Sequence, residues 1–331
     1  MAEIDDEAPA PAAKKVPPAR KHNAFDDLEQ RVEDARAQFD EANAKINART
    51  GRNLFAAIGI GLVLGGLFLV SLLLLKWLFM ILAAVLIGLT VFELASALRF
   101  AGRDVPRVVS TILAVATVPA AFFFGVEGLW LALLAAIVLI SLWRIGEQLR
   151  PGHPADGQPS GARALFSDIG AGAFVQVYVT FLAGLYVVLA GLDGGEGWTL
   201  TSIIVVVFTD IGAYASGLAF GRHKLAPTIS PGKTWEGFAG SIVTAVIVGV
   251  FLSWLILGQP WWVGLVMGLL LALVGTMGDL TESLLKRELG VKDISTWLPG
   301  HGGFLDRLDS ILPSAAVAYV IYLVVTSLSS A

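Results

Sequence analysis

Cysteine is absent, so neither a disulfide nor a thiolate-bound metal belongs to this chain. Charge is scarce too. Asp, Glu, Lys and Arg make up 15% of 331 residues against 56% hydrophobic, and mean hydropathy is +0.74. Soluble domains carry roughly a quarter charged residues, so a water-soluble globule is excluded. A signal peptide is not expected either, because MAEIDDEAPAPAAKK is acidic and then Pro/Ala-rich, and the first apolar run begins only near Leu54. No internal repeat is visible. A net charge of −4 decides little; where the charges lie decides more.

What is abundant is long apolar sequence. Runs at about 54–75, 78–98, 108–125, 129–145, 169–190, 200–220, 237–257, 263–277 and 311–328 approach or exceed the roughly 20 residues that cross a bilayer. The expectation is an all-α, polytopic integral membrane protein of about nine transmembrane helices. With the N-terminus placed in the cytoplasm, every one of the 23 Lys and Arg residues except Lys76 falls on the cytoplasmic side. That is the usual bias of membrane proteins. The predicted localisation is the cell membrane, with the polar loops inside. Residues 1–23 read as a disordered tail, too poor in apolar surface to fold alone. Over 24–50, Phe25, Leu28, Val32, Ala35, Phe39, Ala42 and Ile46 recur at three- and four-residue steps. An amphipathic cytosolic helix explains them, and so does a coiled coil joining two copies. Residues 51–198 form an N-terminal transmembrane region, and 199–331 a C-terminal one that carries the chemistry.

Two polar stretches interrupt the oil on the same predicted side. GDLTESLLKRELGVKDISTWLPGHGGFLDRLDS, residues 278–310, follows an apolar run without a break. Ionisable groups at membrane depth are costly and usually functional. Asp279 and Asp306 bracket the stretch, Lys286, Arg287 and Lys292 lie between them, and Gly302 and Gly303 open a bare backbone turn suited to an anion. Carboxylates, cations and a glycine turn together suit a metal-bound polyphosphate. The other stretch is GRHKLAPTISPGKTWE, residues 221–236. Its Ser230, Lys233 and Thr234 can contact phosphate oxygens. Taken alone it is a basic loop obeying the charge bias. It is not a P-loop, because the preceding glycine is Gly221 and no strand precedes it.

Ser283, Leu285, Lys286, Arg287, Lys292, Asp293, Ser295, Leu298, Pro299, His301, Gly302, Gly303, Phe304, Asp306, Arg307, Leu308 and Asp309 stand in an order and spacing that resembles the signature of the phosphatidate cytidylyltransferases, or CDP-diacylglycerol synthases. Ser230, Pro231, Lys233, Thr234, Glu236 and Gly237 resemble that family's second polar stretch. The resemblance is strong over about 200–331 and otherwise only one of general layout. It implies transfer of a cytidylyl group from CTP to phosphatidate, giving CDP-diacylglycerol and pyrophosphate. It implies Mg²⁺, with K⁺ as a second ion, a bilayer, a homodimer and no nucleic-acid partner. On this reading Asp279 and Asp306 bind metal, and Lys233, Lys286, Arg287, Lys292 and Arg307 meet phosphates. Asp293 belongs to the catalytic set, and His301 contacts or orients a phosphate. Asp309 binds metal or holds Arg307, the second preferred. Ser230, Thr234, Glu236, Gly302 and Gly303 line the substrate site.

Elsewhere the residues leave choices open. Asp210, inside the sixth run, either joins the site or lies idle. Glu93 reads as a packing or snorkelling residue, Asp168 as interfacial, and Trp77, Trp130, Trp261 and Trp262 as a membrane-interface belt. Two rival functions remain. A CTP-dependent polyprenol kinase would share nucleotide and membrane but not the full signature. A transporter would carry its charges near the midplane of repeated helices, which this chain does not.

Overall fold

The computed structural model describes residues 54–149, 161–291, 294–295, 297 and 302–330. The tail, the 24–50 helix, Lys292, Asp293 and His301 lie outside the described residues. Ten α-helices are described: α1 Leu54–Leu74, α2 Lys76–Phe100, α3 Arg107–Gln148, α4 Ala162–Val175, α5 Leu182–Gly191, α6 Gly195–Phe220, α7 Trp235–Leu255, α8 Trp261–Glu288, α9 Leu305–Leu308 and α10 Ile311–Ser330. A π-helical turn, Gln176–Phe181, joins α4 to α5. Seven helical segments of the described residues are long and apolar enough to cross a membrane.

Two departures from expectation have clear physical causes. Runs three and four form one helical stretch of 42 residues, roughly 63 Å at 1.5 Å per residue and about twice the apolar thickness of a bilayer. Gly125, at φ 62 and ψ −148, breaks it into 107–124 and 126–148; a side chain would disfavour that backbone. The second departure is from all-α. Part of the 221–236 loop is a small antiparallel hairpin, β1 Lys224–Ala226 and β2 Ser230–Thr234, with Lys224 opposite Thr234 and Ala226 opposite Ser230.

Helices α6, α7 and α8 pack most intimately, because small residues let their backbones meet. A Cβ at Gly240 would collide with the Ser216 side chain, one at Gly264 with the Gly249 carbonyl, and one at Gly268 with that of Ala245. Close approach through small residues is what holds helices together where water supplies no hydrophobic drive. α10 packs against α5, α6 and α8, burying Leu312, Ala315 and Ala318. Outward, Phe123, Leu131, Val243, Ile247, Trp254 and Val320 are exposed. Water would not tolerate so much bare apolar surface, but a bilayer requires it.

Candidate active site

α8 does not stop at the end of its apolar run. It continues to Glu288, so Asp279 is no helix cap but an interior residue. Asp279, Glu282, Ser283 and Lys286 follow at three- and four-residue steps and share one face. The Ser283 hydroxyl donates to Asp279 Oδ1 at 3.4 Å. Lys286 Nζ meets Glu282 Oε2 at 2.8 Å and Asp306 Oδ1 at 3.4 Å, tying α8 to α9.

The hairpin brings the second polar stretch to this face. Lys233 Nζ pairs with an Asp279 carboxylate oxygen, and Arg287 Nε donates to the Ile229 carbonyl at 3.4 Å. Thr234 caps α7, its hydroxyl oxygen accepting from the Gly237 amide at 3.1 Å. The start of α7 thereby turns its partial positive charge toward the cavity. Glu236 braces the hairpin from behind, accepting from the Arg222 and His223 amides at 3.1 and 3.2 Å and meeting His223 Nδ1 at 2.6 Å.

Two neighbouring cavities share Ser230. The larger, about 520 Å³, is lined by Thr209, Asp210, Lys233, Thr234, Gly237 and Asp279, and by the apolar Ala213, Tyr214, Leu218, Leu225 and Phe238. Asp210 lies ten residues before the end of α6, so the cavity reaches about 15 Å down that helix. The smaller, about 230 Å³, is lined by Ser230, Pro231, Ser283, Lys286, Arg287 and Val291.

Of the residues singled out in the sequence, the structure therefore gathers Asp210, Ser230, Lys233, Thr234, Asp279, Lys286 and Arg287 around two neighbouring cavities. Asp309 accepts from the Ser310 amide at 2.6 Å and stands within electrostatic reach of Asp279 and Asp210. Asp306 Oδ2 accepts from the Gly303 amide at 3.0 Å. Gly302, at φ 82, has a backbone that favours glycine, and a Cβ there would lie 2.7 Å from that same carboxylate oxygen and displace it. Arg307 sits on α9 between the two carboxylates.

Two residues escaped the sequence reading. Glu93 is not a packing or snorkelling residue. It is 2% exposed, and its Oε2 accepts from the Phe304 and Leu305 amides at 2.8 and 3.1 Å, while Oε1 accepts from the Ser295 hydroxyl. A carboxylate on α2 thus holds both sides of the signature turn. Phe92 adds a ring contact to Trp297 at 5.8 Å. Glu282, buried beside Lys286, went unremarked among the signature's charges. Asp168, read as interfacial, is buried within the protein and paired with Arg144 at 2.8 Å.

Magnesium suits this donor set. It takes hard oxygens, commonly one or two carboxylates plus substrate phosphates. Asp279, Asp210 and Asp309 crowd negative charge beside one lysine pair. Among the described residues no three acidic or imidazole side chains form a closed metal site. A magnesium ion held here would draw on one or two of these carboxylates, with phosphate oxygens for the rest of its shell.

Residues 55–325 match the cytidylyltransferase family. The phosphatidate cytidylyltransferase of Mycobacterium bovis is 36% identical over 274 residues, covering 83% of this chain and 90% of that protein. That of Mycobacterium leprae is 36% identical over 282 residues, 84% and 90% of the two chains. That of Brucella suis is 38% identical over 190 residues, 56% and 61%. Signature, site and relatives agree, and this multi-pass membrane protein belongs to the phosphatidate cytidylyltransferase (CDP-diacylglycerol synthase) family of nucleotidyltransferases.

Proposed function

We propose that the protein transfers a cytidylyl group from CTP to phosphatidate at the junction of the hairpin and α8. A lipid phosphate oxygen attacks the CTP α-phosphorus. The bond from that phosphorus to the α–β bridging oxygen breaks in line, and pyrophosphate leaves with the bond's electrons. The attacking phosphate is already an anion, so no strong base is needed. Lys233, Lys286, Arg287 and Arg307 hold and neutralise phosphates, and Ser230 and Thr234 add hydroxyl contacts. Mg²⁺ would neutralise nucleotide charge and keep the reacting oxygens in line. Asp279 would hold it with a carboxylate from across the gap: Asp306 on the sequence reading, or Asp309 on its electrostatic grouping with Asp279. K⁺ as a second ion and a homodimer belong to the same proposal.

The observation that carries this reading is the Lys233–Asp279 pair. It joins two polar stretches beside a cavity whose flank is apolar. Tyr214 and Leu218 on that flank are 74% and 76% exposed on the outer surface of α6, which offers a lipid a sideways path to the polar end. We count nine spans by adding α1 to the seven long apolar segments and dividing α3 at Gly125. We place the N-terminus and the site on the cytoplasmic face of the cell membrane, on the charge bias alone.

The test is product analysis with detergent-purified protein, CTP, Mg²⁺ and phosphatidate. Lipid-dependent pyrophosphate and CDP-diacylglycerol are expected. CDP without pyrophosphate would instead reveal a kinase, and no turnover by folded protein would revive transport.

A further inference from the structure

Between α4 and α5 the rod 162–191 loosens into a single π turn. Such turns insert one extra residue into a helix and recur at functional sites. Two polar side chains of this turn are treated differently. Gln176 is engaged at both ends of its amide: its Nε2 donates to the Ser110 carbonyl at 2.9 Å, and its Oε1 accepts from the Thr180 hydroxyl at 2.9 Å. Tyr178 is not. The residue is 8% exposed and its ring stacks on Phe174 at 5.2 Å and 8°, yet its buried hydroxyl has no hydrogen-bond partner among the described residues.

An unpartnered buried hydroxyl is unfavourable, and native proteins keep few. This one lies near the charges of the site. Asp309, Glu282 and Asp279 are the charges within its electrostatic reach, and the π turn packs on α10, just after Asp309. Asp279 lines the larger cavity, so this hydroxyl lies within reach of charges that a bound phosphate would also meet. A phenol suits this place, because it donates a hydrogen bond without adding charge to the crowded carboxylates.

We propose that the Tyr178 hydroxyl is a substrate contact of the site, donating its hydrogen bond to a phosphate oxygen brought in beside Asp279 and Asp309. The assignment rests on the nucleotidyl-transfer reading. Tyr178→Phe removes the hydroxyl and keeps the ring stack. With CTP and phosphatidate each varied in Mg²⁺, its kcat/KM is expected to fall about 10- to 100-fold, the range for a hydrogen bond to a charged group. A rise in KM for phosphatidate alone assigns the lipid phosphate, and a rise for CTP alone the nucleotide. A fall in kcat assigns the phosphoryl group in transfer. The midpoint of thermal unfolding without substrate should equal or exceed that of the wild type, since the free protein loses no hydrogen bond. Wild-type constants for both substrates overturn the proposal. So does an activity loss matched by a lowered midpoint, which would make the hydroxyl a folding group. Failure of the unaltered protein to turn over CTP would instead overturn the functional reading, and this assignment with it.

Discussion

Arg144 and Lys286 each serve more than one carboxylate toward the end of a membrane helix, in surroundings that differ. Arg144, 12% exposed at its side chain, meets Asp104 at 2.9 Å, Glu147 at 2.7 Å and Asp168 at 2.8 Å. Asp168 also accepts from the Asp104 amide at 3.0 Å. That cluster fastens the α2–α3 turn to the last turns of α3 and to the middle of α4. Lys286 joins Glu282 to Asp306, but it also lines a cavity. Each cluster keeps one buried atom without a partner among the described residues, Arg144 Nε in one and Glu282 Oε1 in the other, so the cavity is what separates them. Charges packed only against one another hold the fold together. Charges beside a cavity can meet a ligand. In an oily chain both cost desolvation, so the second kind persists only where function repays it.

The sharpest way to break this comparison is to exchange the effects of the two clusters. Lys233→Met, which removes the pairing cation of Asp279 and a phosphate contact, should lower turnover by roughly 10²- to 10³-fold. Its unfolding midpoint in detergent should stay close to that of the wild type, and assays of lipid-dependent pyrophosphate release beside melting curves check both. Arg144→Met should do the reverse. Losing the shared partner of three carboxylates should cost about 3–5 kcal/mol of stability, while kcat per folded molecule holds. Should Arg144→Met abolish turnover at unchanged stability, the division between the clusters is wrong.

Glu93→Gln tests whether a holding residue belongs with either cluster. The amide keeps the shape but weakens the acceptors that grip the Phe304 and Leu305 amides, and we expect turnover down roughly tenfold. Faster proteolysis near 295–304 should accompany it, measured by mass spectrometry of the fragments. Unchanged turnover and cleavage would return Glu93 to a mere packing role. The smallest effect belongs to Thr234→Ala. Loss of the α7 cap should cost about 1 kcal/mol, read as a small fall in the unfolding midpoint. KM for CTP should also rise if the start of α7 faces the nucleotide.

The reach of the sequence was uneven for physical reasons. The signature stretch was legible because its chemistry is local: Asp279, Lys286 and Asp306 announce themselves against an apolar background. Glu93 was not, because a lone carboxylate two turns from a helix end has the same local pattern whether it snorkels or grips a loop. Its partner Ser295 lies 202 residues away. Tyr178 was hidden for a similar reason, since a run that is apolar on all sides has little periodicity for a π turn to shift, and one tyrosine in it reads as core.

Composition and charge placement alone determined that this chain is a helical membrane protein with two polar stretches, because bilayer thickness and the cost of buried charge leave few other solutions. Tertiary structure alone decided that α8 runs on past the membrane run to align Asp279 with Lys286. It also set Lys233 of a hairpin on Asp279, and placed Glu93 of α2 beneath the signature turn. Such meetings depend on how small-residue helix faces pack together, and spacing along a chain does not record which helix faces which.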